Sequence, residues 1–201
     1  MAEGPLPSRS AFAGLAVPVG TGSGVVVTDR DGLGLATVLA RKGKTAALAE
    51  RVRQRFAIDL PRGPKRVANG AVTFAGTGPE AWLATAERGD GFTAALRDAL
   101  GDLASVSDQS GGTAVLRLAG PRVRDALAKG VMIDLHPRAF AAGDVAVTVA
   151  AHVGFTLWRL ADDPAGAVFE IAVARSLADS FWHWLAASAA EFRLAVAAGG
   201  P

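Results

Sequence analysis

The chain has 201 residues, half of them apolar and a fifth charged, with a formal net charge of +2 and no cysteine. A chain of this length buries roughly 70% of the surface its unfolded form exposes, so it folds on hydrophobic burial as one large domain or two small halves, and the composition is that of a globular and not a disordered chain. Without cysteine there is no disulfide framework, no thiolate nucleophile and no thiolate metal site.

Along the chain, residues 1–23 are rich in Gly, Pro and Ser and are expected to form an extended or loosely packed arm. The apolar patch from Ala11 to Gly20 is broken by Pro18 and follows Glu3 and Arg9, which is not a signal-peptide pattern. No stretch reaches the ~18 apolar residues of a membrane span, and the expected location is the cytoplasm. Val25 to Thr28 and Leu35 to Leu39 read as strands on either side of an Asp31-Gly32 turn. Gly43 opens a helix to about Phe56, with Leu48, Val52 and Phe56 on its buried stripe. Residues 41–66 hold nine Lys or Arg against Glu50 and Asp59, and the plainer reading of this run is a solvated helix face. Ala71 to Phe74 and Trp82 to Ala86 follow as strands, and Phe92, Leu96 and Leu100 mark a second helix.

After Ser105 the pattern restarts. Thr113 to Leu118 is a strand, and Gly120-Pro121 starts a helix through Leu127. Asp134 to Phe140 is a loop. Val145 to Val153 and Phe155 to Leu160 are strands separated at Gly154, and Val168 to Val173 is another. The expected fold class is α+β, as two ferredoxin-like halves whose antiparallel sheets carry helices on one face. The halves fall at 24–104 and 105–195, with a flexible tail at 196–201.

The last helix, Arg175 to Phe192, holds two of the four Trp residues. Leu177, Phe181, Trp184, Leu185 and Phe192 share one core-facing stripe. Trp182 lies about 100° and His183 about 200° away from Phe181, so apolar surface points beyond the stripe and asks for a second partner. Ser176 and Asp179 have the spacing of an N-terminal cap.

The sequence is poor in reactive constellations. Gly20-Thr-Gly22-Ser-Gly24 precedes a strand, where a dinucleotide loop follows one, and Ser110-Gly111-Gly112 is too short for a pyrophosphate. His136, His152 and His183 lack metal-ligand spacing, and His152 reads as a partly buried strand imidazole. Asp134 with His136 reads as a local turn, as does Asp162-Asp163 beside Pro164. No catalytic, cofactor-binding or metal residue is assigned. Trp158 and Arg159 project to opposite faces of one strand, and Trp158, Arg159, Trp182 and His183 are the candidate subunit-interface residues, because Trp and Arg anchor interfaces.

The order of residues also carries a resemblance. Ser107-Asp-Gln-Ser110, Val115-Leu-Arg-Leu118, Gly120-Pro121-Arg122, Asp134-Leu-His-Pro137, His152, Leu157-Trp-Arg159, Arg175-Ser176, Ser180-Phe-Trp-His-Trp-Leu185 and Glu191-Phe192 together resemble the gamma subunit family of heterotetrameric sarcosine oxidase. In the first half, Arg9-Ser10-Ala-Phe-Ala-Gly14 and Gly78-Pro79 with Trp82-Leu83 are similar to the family as well. The resemblance implies a fold like the folate-binding domain of glycine-cleavage T protein. It implies assembly with alpha, beta and delta subunits that oxidatively demethylate sarcosine to glycine, giving hydrogen peroxide and formaldehyde or methylenetetrahydrofolate. It places FAD, FMN, NAD, zinc and tetrahydrofolate on the other subunits and leaves this chain non-catalytic. Two readings compete with it. One is a free-standing folate-binding protein or aminomethyltransferase-like enzyme with Asp108 or Asp134 at the pterin. The other is an anion-binding module on Arg51, Arg53 and Arg55.

Overall fold

A computed structural model describes residues 9–13 and 23–197. The strands are β1 (Val25–Asp29), β2 (Gly34–Ala40), β3 (Arg66–Asn69), β4 (Val72–Gly78), β5 (Ala81–Ala86), β6 (Ala104–Asp108), β7 (Thr113–Gly120), β8 (Val145–Ala150), β9 (Val153–Arg159), β10 (Ala167–Ala174) and β11 (Leu194–Ala197). The helices are α1 (Thr45–Phe56), α2 (Phe92–Leu100), α3 (Val123–Ala128) and α4 (Ala178–Ala189). Among the described residues no helix is long and apolar enough to cross a membrane.

Five strands form one sheet in the order β3-β4-β5-β2-β6, with every neighbour antiparallel. Taken along the chain, β2-α1-β4-β5-α2-β6 is the ferredoxin-like βαββαβ unit, and β3 adds an outer strand. The other sheet has the order β11-β1-β7-β10-β9-β8 and repeats the plan with β7-α3-β9-β10-α4, where β8 takes the place of β3. Its fourth place, beside β7, is filled by β1. The strand after α4, β11, lies outside β1 and runs parallel to it.

The sheets therefore do not coincide with the halves expected at 24–104 and 105–195. β1 leaves the first half for the second sheet, and β6 crosses the boundary to finish the first. The proposed tail at 196–201 begins inside a strand, since β11 runs to Ala197, and 198–201 lie outside the described residues. Of the expected arm, residues 1–8 and 14–22 lie outside them too, including Gly20 to Gly22 and most of the Ala11–Gly20 patch. Phe12, at 5% exposure, belongs to the core of the second sheet.

Apolar packing divides into three regions. α1 and α2 cover the outer face of the five-stranded sheet through Leu48, Val52, Leu96 and Leu100 over Phe74 and Trp82. α3 and α4 cover the six-stranded sheet through Leu127, Phe181 and Leu185 over Phe155, Leu157 and Phe169. The two inner faces meet through Leu33, Leu35, Ala75, Leu83, Val115, Val145, Trp158 and Ala172. The layers thus run helices, sheet, sheet, helices, as expected of antiparallel sheets with helices on one face. β10 is buried over seven of its eight residues, because a central strand covered on both faces needs an unbroken apolar run.

The β8–β9 hairpin turns at Ala151 and His152, not at Gly154, and pairs Ala150 with Val153 across a two-residue loop. Both turn residues are left-handed, with φ of 47° and 65°, as the twist-matched hairpin turn requires. His152 is therefore an exposed turn residue and not a strand imidazole. Asn-Gly adopts this turn more readily, because Gly has no Cβ to crowd at positive φ and the short polar side chain of Asn tolerates the left-handed region better than Ala. The double substitution Ala151→Asn/His152→Gly is expected to stabilise the isolated chain by about 1 kcal/mol, read as a higher urea midpoint at unchanged slope.

Candidate functional site

Helix α4 is the segment on which the interface expectation rests. Its sequence Ala-Asp-Ser-Phe-Trp-His-Trp-Leu-Ala-Ala-Ser-Ala contains no helix breaker and carries Asp179 in the first turn, where the helix dipole favours an anion. The expected Ser176 cap does not form. Arg175–Leu177 make a 3₁₀ turn ahead of the helix, and the residue at the N-cap position is Leu177, with no side-chain cap hydrogen bond. Phe181 packs edge-on against Phe155 with ring centroids 5.3 Å apart, and tilted against Trp184 at 5.5 Å. Leu177, assigned to the core stripe, is 40% exposed.

Three of the four candidate interface residues are covered by the chain itself. Trp182 is 7% exposed and shares a core with Phe12, Leu127 and Val131. The reason is that α4 packs against both α3 and β10, so a helix lying in the angle between a helix and a sheet buries an arc wider than one stripe. Trp158 is 2% exposed in the inter-sheet core, and Arg159 on the opposite face is 7% exposed. Arg159 donates from Nη1 to the Phe140 carbonyl at 3.1 Å and from Nη2 to Asp162 at 2.7 Å. Only His183 is exposed, and its Nδ1 lies 2.9 Å from the Asp179 carbonyl oxygen.

The strongest polar constellation went unread in the sequence. Glu170, 5% exposed on β10, accepts from Arg117 Nε and Nη2 at 3.0 and 2.7 Å, from Arg30 Nε at 3.2 Å and from Trp158 Nε1 at 2.8 Å. Arg30 passes on to Glu87, its Nη2 donating at 2.6 and 2.9 Å. Arg66 stands near the same charges, and burial pushes its guanidinium pKa down while Glu170 and Glu87 hold it up. Pairing between Trp158, Arg117 and Glu170 is register-dependent and invisible without the strand order. These groups join the sheets. No member offers a nucleophile or an open ligand position.

At the other end the sheets part to leave a cleft of about 510 Å³. Thr37, Thr77, Gln109, Thr113 and Thr156 line it together with Leu83, Val147 and Ala172, and none of its lining residues is charged. The carboxylates a pterin site would use stand elsewhere. Asp108 is exposed and accepts the Ser110 N–H at 2.9 Å, and this bond and the Ser110 hydroxyl hold it below the usual carboxylate range. Asp134 accepts the His136 N–H at 2.8 Å in a turn. The cleft therefore offers no carboxylate to receive the amino and ring N–H groups of a pterin. The arginines of α1 do not converge either: Arg51 donates to the Ala99 carbonyl at 2.9 Å and Arg53 pairs with Glu50 at 2.7 Å.

Residues 42–191 match the sarcosine oxidase, gamma subunit family. The chain belongs to that family. A sarcosine oxidase subunit gamma from Corynebacterium sp. (strain P-1) is 34% identical over 156 residues, covering 75% of this chain and 71% of the relative. Among solved structures, a chain of the heterotetrameric sarcosine oxidase from Corynebacterium sp. U-96, in complex with pyrrole 2-carboxylate, superposes with a TM-score of 0.79 at 26% identity. It covers 92% of this chain and 96% of that one. The glycine cleavage system aminomethyltransferase T from Bartonella henselae shares the fold, with a TM-score of 0.64 at 17% identity over 88% of this chain and 48% of that one. The fold and family implied by the resemblance are thus the ones found.

Two measurements test the joint between the sheets. Glu170→Gln keeps size and an acceptor for Trp158 but leaves Arg30 and Arg117 without their shared anion. It is expected to cost about 2–3 kcal/mol in urea unfolding, at or just below the foot of the range of about 3–5 kcal/mol for a broken buried pair, because Arg117 is partly solvated. Asp144 ties the start of β8 to Lys65. Burial works to raise its pKa, but the Lys65 ammonium, the Ala141 N–H and Arg159 together hold it lowered. A depressed carboxylate stabilises the fold above its unfolded-state pKa and loses that contribution as pH falls through the folded-state value. Asp144→Asn should therefore cost about 1 kcal/mol at neutral pH, and the difference from wild type should close in the acid range.

Proposed function

We propose that this chain is a structural subunit of a heterotetrameric sarcosine oxidase and contributes no catalytic group to it. The observation that carries the reading is the extent of the structural likeness: the superposition takes in 96% of the matched chain of a heterotetrameric sarcosine oxidase. The chemistry of the cleft supports it, since its lining of hydroxyl, amide and apolar side chains offers no carboxylate to hold a pterin and no titratable side chain for acid–base work. Companion alpha, beta and delta subunits carry the FAD, FMN, NAD and zinc and the folate site. They oxidatively demethylate sarcosine to glycine, giving hydrogen peroxide and formaldehyde or methylenetetrahydrofolate. This chain buttresses the alpha subunit beside its folate-binding region. Lack of cysteine fits a cytoplasmic assembly, and nothing in the reading calls for nucleic acid.

Co-expression with the three companion subunits tests it. A stoichiometric complex that survives gel filtration is expected, and omission of this chain should lower the yield of intact oxidase without changing the flavin spectrum of what assembles. Failure to co-purify overturns the reading. Titration of the isolated chain with tetrahydrofolate should show no binding in the micromolar range, which corresponds to about −8 kcal/mol; tight binding would turn the assignment towards a folate protein.

A further inference from the structure

β8 is the outermost strand of the six-stranded sheet. Its outer edge is covered only where it begins: the Val145 N–H donates to the Pro64 carbonyl at 2.9 Å and the Gly143 carbonyl accepts the Arg66 N–H at 2.7 Å. Outward-facing backbone groups recur at every second residue of an antiparallel strand. Val147 and Val149 therefore also turn N–H and C=O outwards, and no described residue pairs with them. Natural proteins guard such edges with a charge, a proline or a bulge, and β8, Val-Ala-Val-Thr-Val-Ala, has neither charge nor proline and pairs with β9 without a register shift.

The side chains at this edge are as open as the backbone. Val147 is 62% and Val149 38% exposed, and Val147 lines the uncharged cleft of about 510 Å³ between the sheets. Leu39, 46% exposed, continues the face of β2 that carries Thr37 into the same cleft. The edge ends at the left-handed Ala151–His152 turn, a strained form that a hairpin reaches more cheaply with Asn-Gly.

We propose that the outer edge of β8 and the cleft beside it form a docking site for one extended, uncharged segment of a companion subunit, which adds a seventh strand to the sheet. The proposal rests on the subunit reading above. An extended chain is required because only a strand can pair its backbone with Val147 and Val149. An uncharged one is required because nothing lining the cleft compensates a buried charge. Alternate side chains of the added strand enter the cleft beside Thr77. A second copy of this chain does not fit. Pro64 to Arg66 block the edge before Val147, and pairing four residues of each copy falls far short of the roughly 1,600 Å² that stable interfaces bury.

The test uses the full four-subunit complex with the Val147→Lys/Val149→Lys chain. Both positions are exposed, so the isolated variant should melt with the wild type, while its affinity for the other subunits should fall by roughly a hundredfold or more, two ammonium groups having to enter an uncharged contact. In the wild-type complex, the Val147 and Val149 amides should exchange with solvent at least about tenfold more slowly than in the free chain. Free-chain exchange rates at these amides in the complex overturn the proposal, as does unchanged affinity of a folded lysine variant. If that variant unfolds, the wild-type exchange rates decide alone. A wild-type chain that forms no complex removes the subunit reading and the proposal with it, whereas an intact complex with unprotected amides removes the docking site only. A homodimer of the free chain that is broken by Val147→Lys would mean that the occupant is a second copy, against the proposal.

Discussion

Among the described residues Glu170 is the only buried carboxylate, and it sits at the centre of a strand enclosed on both faces. A charge in that position is tolerable only when paired and fully hydrogen-bonded. The donors come from three directions: Arg117 from β7, Trp158 from β9 and Arg30 from the turn after β1. Arg30 then reaches Glu87, just past the end of β5 in the opposite sheet. The joint therefore specifies more than it stabilises. Sliding β10 by one residue against either neighbour would turn Glu170 from the inter-sheet face into the apolar core under α3 and α4, so one side chain fixes the register of three strands and the facing of two sheets. The apolar inner face, built partly of small residues such as Ala75 and Ala172, gives no comparable discrimination.

A second constraint sits where chain ends and crossovers meet. The Gly24 N–H donates to the Phe192 carbonyl at 2.8 Å, and the Gly24 carbonyl accepts the Arg122 N–H at 2.9 Å. A Cβ on Gly120, held at φ 129°, would stand 2.5 Å from that carbonyl, so only glycine permits the approach. Arg122 and Lys129 then stand over the Phe192 ring at 4.5 and 4.7 Å, and the Lys129 ammonium also donates to the Ser188 carbonyl at 2.6 Å. This knot draws β1 into the second sheet. The Gly120-Pro121-Arg122 and Glu191-Phe192 pairs of the sequence resemblance are the two sides of one contact.

Period-two and period-3.6 patterns located β1, β2, β4, β5, β7, β10 and the helices to within a few residues, because each buries one well-defined face. The missed strands lack such a face. β6, Ala-Ser-Val-Ser-Asp, is a polar edge; β3 is four residues behind Pro64; β11 is four residues in a stretch that reads as a tail. Periodicity also names a strand without naming its sheet, so the exchange of β1 was out of reach. Local backbone choices were hidden for a related reason. Ala151, His152 and Arg193 all occupy left-handed positions at which sequence rules look for Gly or Asn, and strand pairing sets them instead, across the β8–β9 hairpin for the first two and at the entry to β11 for the third. Trp182 shows the limit of a helical wheel, which counts the faces of a helix and not the number of elements packed against it.

That last point changes what a partner can recognise. If α4 kept a second apolar side, association would be a matter of greasy contact, with Trp182 as the anchor. The structure spends that side internally, against α3 and within the core that Phe12 also joins. The inter-sheet core is likewise closed at one end by Glu170 and its arginines. What remains unspent lies at the other end, in unpaired backbone groups along β8 and a cleft of hydroxyls and small apolar surfaces. Such a surface attracts little from a distance, having no charge to steer with, and rewards only a chain presented in the right extended shape. Specificity of that kind suits a subunit held within an assembly, where companion contacts supply proximity and the strand edge supplies register.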